Sequence, residues 1–98
     1  MTLDGGAVKA LQSGNSLLPA GVMKVSGTFE LGDAVVIENE DGLEIGIGLV
    51  AYDIDDARKI IGQHTSKIEV ILGHPGRSVM VHRDDMVLRD ATGYSADD

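Results

Sequence analysis

Four features of this sequence have residue types and spacing that could do chemistry, and the first is a glycine pattern. The string "GIGLVA", residues 46–51, fits the G-x-G-x-x-A pattern of dinucleotide-binding sites. That pattern works only where a strand turns into a helix, because helix N–H groups must face the pyrophosphate. Here both glycines lie inside the clearest strand pattern of the chain. We therefore predict that they bend a strand or let another backbone approach closely.

The second feature is "HRDD", residues 82–85, which contains the His-Arg-Asp triplet of protein-kinase catalytic loops. Such loops carry an Asn five residues after the Asp, and Arg89 stands at that position. The glycine-rich phosphate loop and the Asp-Phe-Gly motif of protein kinases are also missing from the sequence. Asp84 and Asp85 are therefore predicted to form a turn between two strands.

The third feature is "DIDD", residues 53–56, which has the first residues of a calcium-binding loop. Such a loop needs Gly at its sixth position and Glu at its twelfth, and this chain has Arg58 and His64 there. Aspartates at the start of a helix are instead expected to cap it and to interact favourably with its dipole. The string therefore predicts a helix N-terminus rather than a metal site.

The fourth feature is the set of three histidines, His64, His74 and His82. No pair among them has the short spacing of metal ligands, and the chain has no cysteine to complete such a site. No serine, histidine and acid combination suggests a nucleophile either. We predict that this chain holds no catalytic, cofactor-binding or metal-binding residue of its own.

The composition sets the kind of fold that would position these residues. A chain of 98 residues is the length of one domain, and its 13 glycines predict many turns and close backbone approaches. The absence of cysteine excludes disulfides and is compatible with a reducing compartment. No apolar run approaches the roughly 18 residues that a membrane span needs. We expect a protein of the cytoplasm with no membrane contact.

Hydrophobic periodicity and turn residues divide the chain into short elements. Residues 43–51 alternate strictly. One predicted face of this strand carries Leu43, Ile45, Ile47, Leu49 and Ala51, and the other carries Glu44, Gly46 and Gly48. Further strands are predicted at residues 17–18, 22–25, 34–38, 79–82 and 86–88, and helices at 4–14, 53–62 and 65–73, the last capped by Thr65 or Ser66. The pattern predicts a β-rich α+β domain with two or three short helices.

The string "SLLPAGV", residues 16–22, interrupts one of these strands with a Pro and a Gly. Pro19 cannot donate a hydrogen bond to a sheet, so the break is expected at a sheet edge or a bulge. Gly21 is expected to turn the corner of the fold, and Pro19 to block further edge pairing. An alternative is that the break lets a ligand backbone approach the main chain.

An ordered series of strings carries a resemblance to a known family. The series is "LDGGAVKALQSGNSLLPAGV", the residues Gly27, Phe29, Gly32, Asp33 and Val35, then "EIGIGLVAYD" and "VHRDDMVL". It resembles the C-terminal PUA domain of bacterial glutamate 5-kinases from about Leu3 to Leu88. The resemblance implies a PUA-type mixed β pseudo-barrel over residues 1–88, and the polar residues 89–98 are predicted to form a disordered tail.

The resemblance also implies a function, which lies mostly outside this chain. Glutamate 5-kinases transfer the γ-phosphate of ATP to the side-chain carboxylate of glutamate, the first step of proline biosynthesis. ATP and Mg²⁺ bind in an amino-acid-kinase domain upstream, so none of its residues is carried over, and we expect the reading frame to continue before Met1. The implied role is accessory: packing on the kinase domain, supporting a homo-oligomer of the parent, or tuning its response to proline and magnesium. The charged run 53–59 and the "SLLPAGV" edge are candidate docking surfaces.

RNA binding stays open as the alternative function, because RNA-modifying proteins use the first helix, its glycine loop and the next strand of their PUA domains for it. The corresponding candidate residues are Lys9, Gly14, Leu18, Pro19, Gly21 and Lys24. Phosphate neutralisation dominates nucleic-acid affinity, and this chain has a net charge of −8. Lys9 and Lys24 are the only cations before Val50, so an RNA surface could instead use the later cations Arg58, Lys59, Lys67, Arg77 and Arg83. We therefore expect any RNA binding to be weak and salt-sensitive.

Overall fold

Five short strands form one mixed sheet in the computed structural model, which describes residues 1–89. The strands are β1 (Thr2–Leu3), β2 (Val22–Lys24), β3 (Ala34–Glu38), β4 (Glu44–Leu49) and β5 (Met86–Leu88), in the spatial order β2-β1-β3-β4-β5. β1 runs parallel to β3, and the other neighbours are antiparallel. The predicted β-rich α+β class is confirmed. The sheet is not closed, and β2 and β5 are its edges.

Three short α-helices accompany the sheet: α1 (Gly5–Gln12), α2 (Ile54–Ile60) and α3 (Ile68–Leu72). Asp4 Oδ1 accepts from the Ala7 N–H at 2.7 Å and Asp53 Oδ1 accepts from the Asp56 N–H at 2.9 Å, so both predicted aspartate caps are present. The predicted cap of α3 by Thr65 or Ser66 is wrong, because α3 begins after Lys67 and has no side-chain cap. A 3-10 turn over Thr65–Lys67 precedes that helix, and the imidazole of His64 accepts from the Ser66 N–H at 3.1 Å.

The glycines of β4 face the interior and allow close contact with neighbouring residues, as predicted. A Cβ atom at residue 48 would lie 2.6 Å from Val81 Cγ1, and one at residue 46 would lie 2.6 Å from the Val87 carbonyl oxygen. The predicted single face for residues 43–51 holds only in part. Ile47 and Leu49 point outward, but Ala51 lies beyond the strand and is buried, and the register shifts opposite Ile37 and Glu38.

The core lies on the inner side of the sheet. Its fully buried side chains come from all parts of the fold and include Leu3, Leu17, Val22, Ile37, Val50, Ile60, Met80 and Val81. The strand predicted at residues 79–82 is absent, although Met80 and Val81 are buried. The Met80 N–H donates to the Leu17 carbonyl and the Met80 carbonyl accepts from the Ala51 N–H, so this segment divides its hydrogen bonds between two partners. A single bridge between Leu17 and Val81 is the result.

Two further predictions concern the C-terminal tail and the lack of a membrane span. The disordered tail predicted at residues 89–98 lies outside the described residues from Asp90 onward. Within residues 1–89, no helix is long and apolar enough to cross a membrane.

Candidate functional site

A shallow apolar groove lies between α1 and the segment that follows it. It encloses about 420 Å³ and is lined by Ala7, Ala10, Asn15, Ser16, Leu17, Leu18, Ala20 and Gly21. Ala7 and Ala10 are three residues apart on α1, so their small side chains share one helix face and leave room above it. Asn15 and Ser16 supply polar groups at one end. Leu18 is 47% exposed and borders the groove with an apolar side chain.

The Pro-Ala-Gly string forms the floor of this groove as a 3-10 turn over Pro19–Gly21. Pro19 occupies the first position of the turn, where its missing N–H costs nothing. The Gly21 carbonyl accepts from the Asp4 N–H at 3.0 Å, which ties the turn to the start of α1. The edge strand β2 begins at the next residue, Val22, so the predicted position of the break at a sheet edge is confirmed.

Gly21 is required by the close approach of α1. A Cβ atom at residue 21 would lie 2.5 Å from the Ala7 Cβ, closer than two carbon atoms can approach without displacement. On the other side, the Pro19 carbonyl accepts from the Gly62 N–H at 2.8 Å, just beyond α2. Pro19 and Gly21 are therefore explained by packing between two helices, and neither needs a ligand to account for it.

The structure divides the six predicted surface residues into three groups. Leu18 and Gly21 line the groove, and Pro19 is buried beneath it. Gly14 has a φ of +90° and ends α1, where its N–H donates to the Leu11 carbonyl at 2.9 Å. Lys9 and Lys24 are exposed and do not line the groove.

Sequence reasoning missed the rest of the groove. Ala7, Ala10, Asn15, Ser16, Leu17 and Ala20 are small or ordinary residues with no chemical signature of their own. The spacing of Ala7 and Ala10 was the one available signal, since two alanines on one helix face leave a depression. A distant segment also reaches this region, because the Arg83 N–H donates to Ser16 Oγ at 2.9 Å.

The charged side chains of α1, its cap and β2 differ in whether they have partners. Within residues 1–89, neither Lys9 nor Lys24 pairs with a carboxylate, so both ammonium groups are available to an anion. The Asp4 carboxylate is engaged in capping α1. No cluster of three metal-ligating side chains occurs in this part of the chain. Small, apolar and uncharged polar side chains line the groove.

Comparison with known proteins gives consistent matches in sequence and in structure. The family model described as PUA domain matches residues 1–72. The glutamate 5-kinases of Brucella ovis, Brucella suis and Brucella melitensis are each 55% identical over 96 residues, which cover 98% of this chain. The chain spans only 25% of the length of these relatives, and the match falls in their C-terminal region.

Two solved structures share the fold. A PUA domain from Aeropyrum pernix K1, crystallised as a tartrate complex, superimposes with a TM-score of 0.58 and 26% identity over 82% of this chain and 39% of that one. A conserved PUA domain protein from Thermoplasma acidophilum superimposes with a TM-score of 0.51 and 17% identity, over 83% and 46% of the two chains. The second similarity concerns the fold alone.

Proposed function

This chain belongs to the PUA domain family and is homologous to the C-terminal region of glutamate 5-kinases, and on that basis we propose that it serves such a kinase as an accessory, regulatory domain. The observation that carries the proposal is 55% identity over nearly the whole chain to one quarter of a kinase. The groove beside α1 supports it further, because it offers an apolar surface on which a partner can bind. Phosphorylation would take place in the other three quarters of such a protein.

The proposal assigns the chemistry and the regulation to different parts of one polypeptide. The preceding kinase domain would bind ATP, Mg²⁺ and glutamate and transfer the γ-phosphate, as the first step of proline biosynthesis. The present domain would pack on it, support a homo-oligomer of the parent, and tune the response to proline and magnesium. The absence of cysteine is compatible with the reducing cytoplasm, where we place the protein.

The direct test uses the polypeptide encoded by the full reading frame that contains these residues. Its ATP turnover is measured with glutamate and Mg²⁺, with and without the 98 residues, over a range of proline concentrations. We expect glutamate-dependent turnover in both forms and a shifted proline or Mg²⁺ response in the truncated form. A full-length polypeptide without glutamate-dependent turnover would contradict the proposal, and so would a truncation with identical kinetics at every proline and Mg²⁺ concentration.

RNA binding is the second candidate function, and one observation favours it. The groove lies where the resemblance placed the RNA surface, and Lys9 and Lys24 are free of carboxylate partners within residues 1–89. Two lysines neutralise few phosphates, and the salt slope on single strands is about −0.7 per contact. The net charge of −8 adds long-range repulsion. The affinity would therefore be low and would fall steeply with salt.

A binding assay with a short single-stranded RNA at roughly 50 mM salt tests this second candidate. If the groove surface binds RNA, Lys9→Ala and Lys24→Ala each weaken binding and reduce the salt slope by about one contact. Lys67→Ala is the comparison variant, because Lys67 is also exposed but belongs to the turn before α3 and to the later set of cations. Equal effects of all three substitutions, or no binding at that salt concentration, would exclude the groove as an RNA surface.

A further inference from the structure

The outward face of the sheet carries an apolar patch that the described chain leaves partly exposed. Ile47 lies opposite Val36 on one side and opposite Val87 on the other, so three strands contribute one row of side chains. These residues are 43%, 45% and 77% exposed in the order Val36, Ile47, Val87. Leu49 extends the row along β4 and is 45% exposed. We call these four residues the outer patch.

The composition of the outer patch is unusual for a face that meets water. An antiparallel sheet with one solvated face normally alternates apolar residues inside with polar residues outside. In β4 the alternation is reversed, since Gly46 and Gly48 are buried while Ile47 and Leu49 are exposed. Single exposed apolar residues need no explanation, but a contiguous row across three strands indicates an interaction surface.

The start of the chain lies beside the outer patch. The Met1 nitrogen donates to the Val36 carbonyl at 2.6 Å, and the Glu38 N–H donates to the Met1 carbonyl at 2.9 Å. Met1 therefore runs along β3, next to one member of the patch. In the Brucella kinases the matched region is the C-terminal quarter, so the rest of the polypeptide precedes it. A preceding domain in such a protein would enter at this edge of the patch.

The size of the outer patch favours a tethered partner over a free one. The shared face of β3, β4 and β5 is about 17 Å long and about 10 Å wide, from the usual rise and spacing of strands. That is a few hundred Å² at most, whereas a stable complex of separate chains buries about 800 Å² on each partner. A domain in the same polypeptide reaches the patch at a high effective concentration, so a small apolar contact suffices.

Resting on the proposed function, we propose that the outer patch is the surface on which the preceding kinase domain of the same polypeptide docks. The partner surface is apolar, and it covers Val36, Ile47, Leu49 and Val87. This surface is separate from the groove beside α1, whose lining contains none of these residues. In this arrangement the outer patch contacts the kinase domain of the same polypeptide, and the groove stays accessible to another ligand.

Thiol labelling tests this directly, because these 98 residues contain no cysteine. Val87→Cys is introduced into the 98-residue chain and into the polypeptide of the full reading frame, and labelling of the peptide carrying the substitution is followed by mass spectrometry. Val36→Cys is the second variant on the patch. Val70→Cys is the matched control, since Val70 on α3 is 81% exposed and lies outside the patch.

We expect both patch variants to label at least tenfold more slowly in the full-length polypeptide than in the 98-residue chain, while Val70→Cys labels equally fast in both. Equal rates for the patch variants in the two contexts would overturn the inference alone, provided that the full-length protein turns over ATP with glutamate. Slow labelling without turnover would instead count against the proposed function. Labelling of the 98-residue chain that slows with its concentration would identify a second copy as the occupant and overturn the inference, as would a reading frame with no preceding domain.

Discussion

Gly21 shows how a single residue decides whether the groove beside α1 can form. Its backbone passes so close to Ala7 that no side chain fits between them, and its carbonyl also bonds to the start of the helix. Gly5, in contrast, begins the same helix with open space where a Cβ would be. Two glycines sixteen positions apart therefore have different reasons to be glycine, and only the structure distinguishes them.

The substitution Gly21→Ala is expected to lower the free energy of unfolding by about 1–3 kcal/mol, because the added methyl group displaces α1. Gly5→Ala is the control and is expected to be neutral or slightly stabilising, since alanine favours the helix. Urea unfolding of the two variants and the parent measures both effects. The double variant A7G/G21A should recover part of the loss. A Gly21→Ala variant as stable as Gly5→Ala would disprove the close contact.

Tyr52 gives the fold a pH dependence at alkaline pH. Burial raises the pKa of its phenol above the ordinary value, and the hydroxyl donates a hydrogen bond to the Arg77 carbonyl. In the unfolded chain this phenol loses its proton near pH 10. The folded chain keeps that proton to higher pH, so the stability contributed is present below about pH 10 and is lost as pH rises through the folded pKa.

Tyr52→Phe is therefore expected to be less stable than the parent near pH 7, by about 1 kcal/mol for the lost hydrogen bond. Its free energy of unfolding should then fall less steeply than that of the parent as pH rises above about 10. Denaturant unfolding at a series of pH values up to that range provides the comparison. Parallel curves for the two proteins would show that Tyr52 does not contribute to the alkaline dependence.

Among the helices and strands, the sequence predicted correctly those features that depend on residues close together in the chain. The caps Asp4 and Asp53 and the strand at Ala34–Glu38 follow from such signals and are present. The strand predicted at residues 79–82 is absent, because Met80 divides its hydrogen bonds between Leu17 and Ala51, an arrangement that no local signal contains. Most of the groove could not be predicted from local signals either, because it forms only when α1 packs against the turn at Pro19–Gly21.

Substitutions on the inward face of β4 should lower the free energy of unfolding much more than substitutions on its outward face. Gly48→Ala places a methyl group 2.6 Å from Val81 Cγ1 and is expected to cost about 1–3 kcal/mol of unfolding free energy. Ile47→Thr, on the adjacent outward position, should change the stability of the 98-residue chain by no more than about 0.5 kcal/mol. Chemical unfolding of both variants decides the matter. A larger loss for Ile47→Thr than for Gly48→Ala would mean that the faces are assigned the wrong way round.

As a whole, the described part of the molecule offers two candidate surfaces, the groove beside α1 and the outer patch. The two sequence comparisons agree with each other, since the PUA family model and the Brucella kinases both match this chain. The two surfaces differ in composition: small, apolar and uncharged polar residues line the groove beside α1, and a row of apolar side chains on three strands forms the outer patch. An accessory domain of a larger enzyme needs the second kind of surface for its own polypeptide, which leaves the first for a regulator or for RNA.

The central claim is that these 98 residues act as the C-terminal part of a glutamate 5-kinase. The most direct measurement is to sequence the DNA upstream of the Met1 codon and to follow the reading frame. We expect the frame to continue, without a stop codon, through an amino-acid-kinase domain about three times the length of this chain. A stop codon directly upstream would contradict the claim, and RNA binding by an independent PUA domain would then become the leading function.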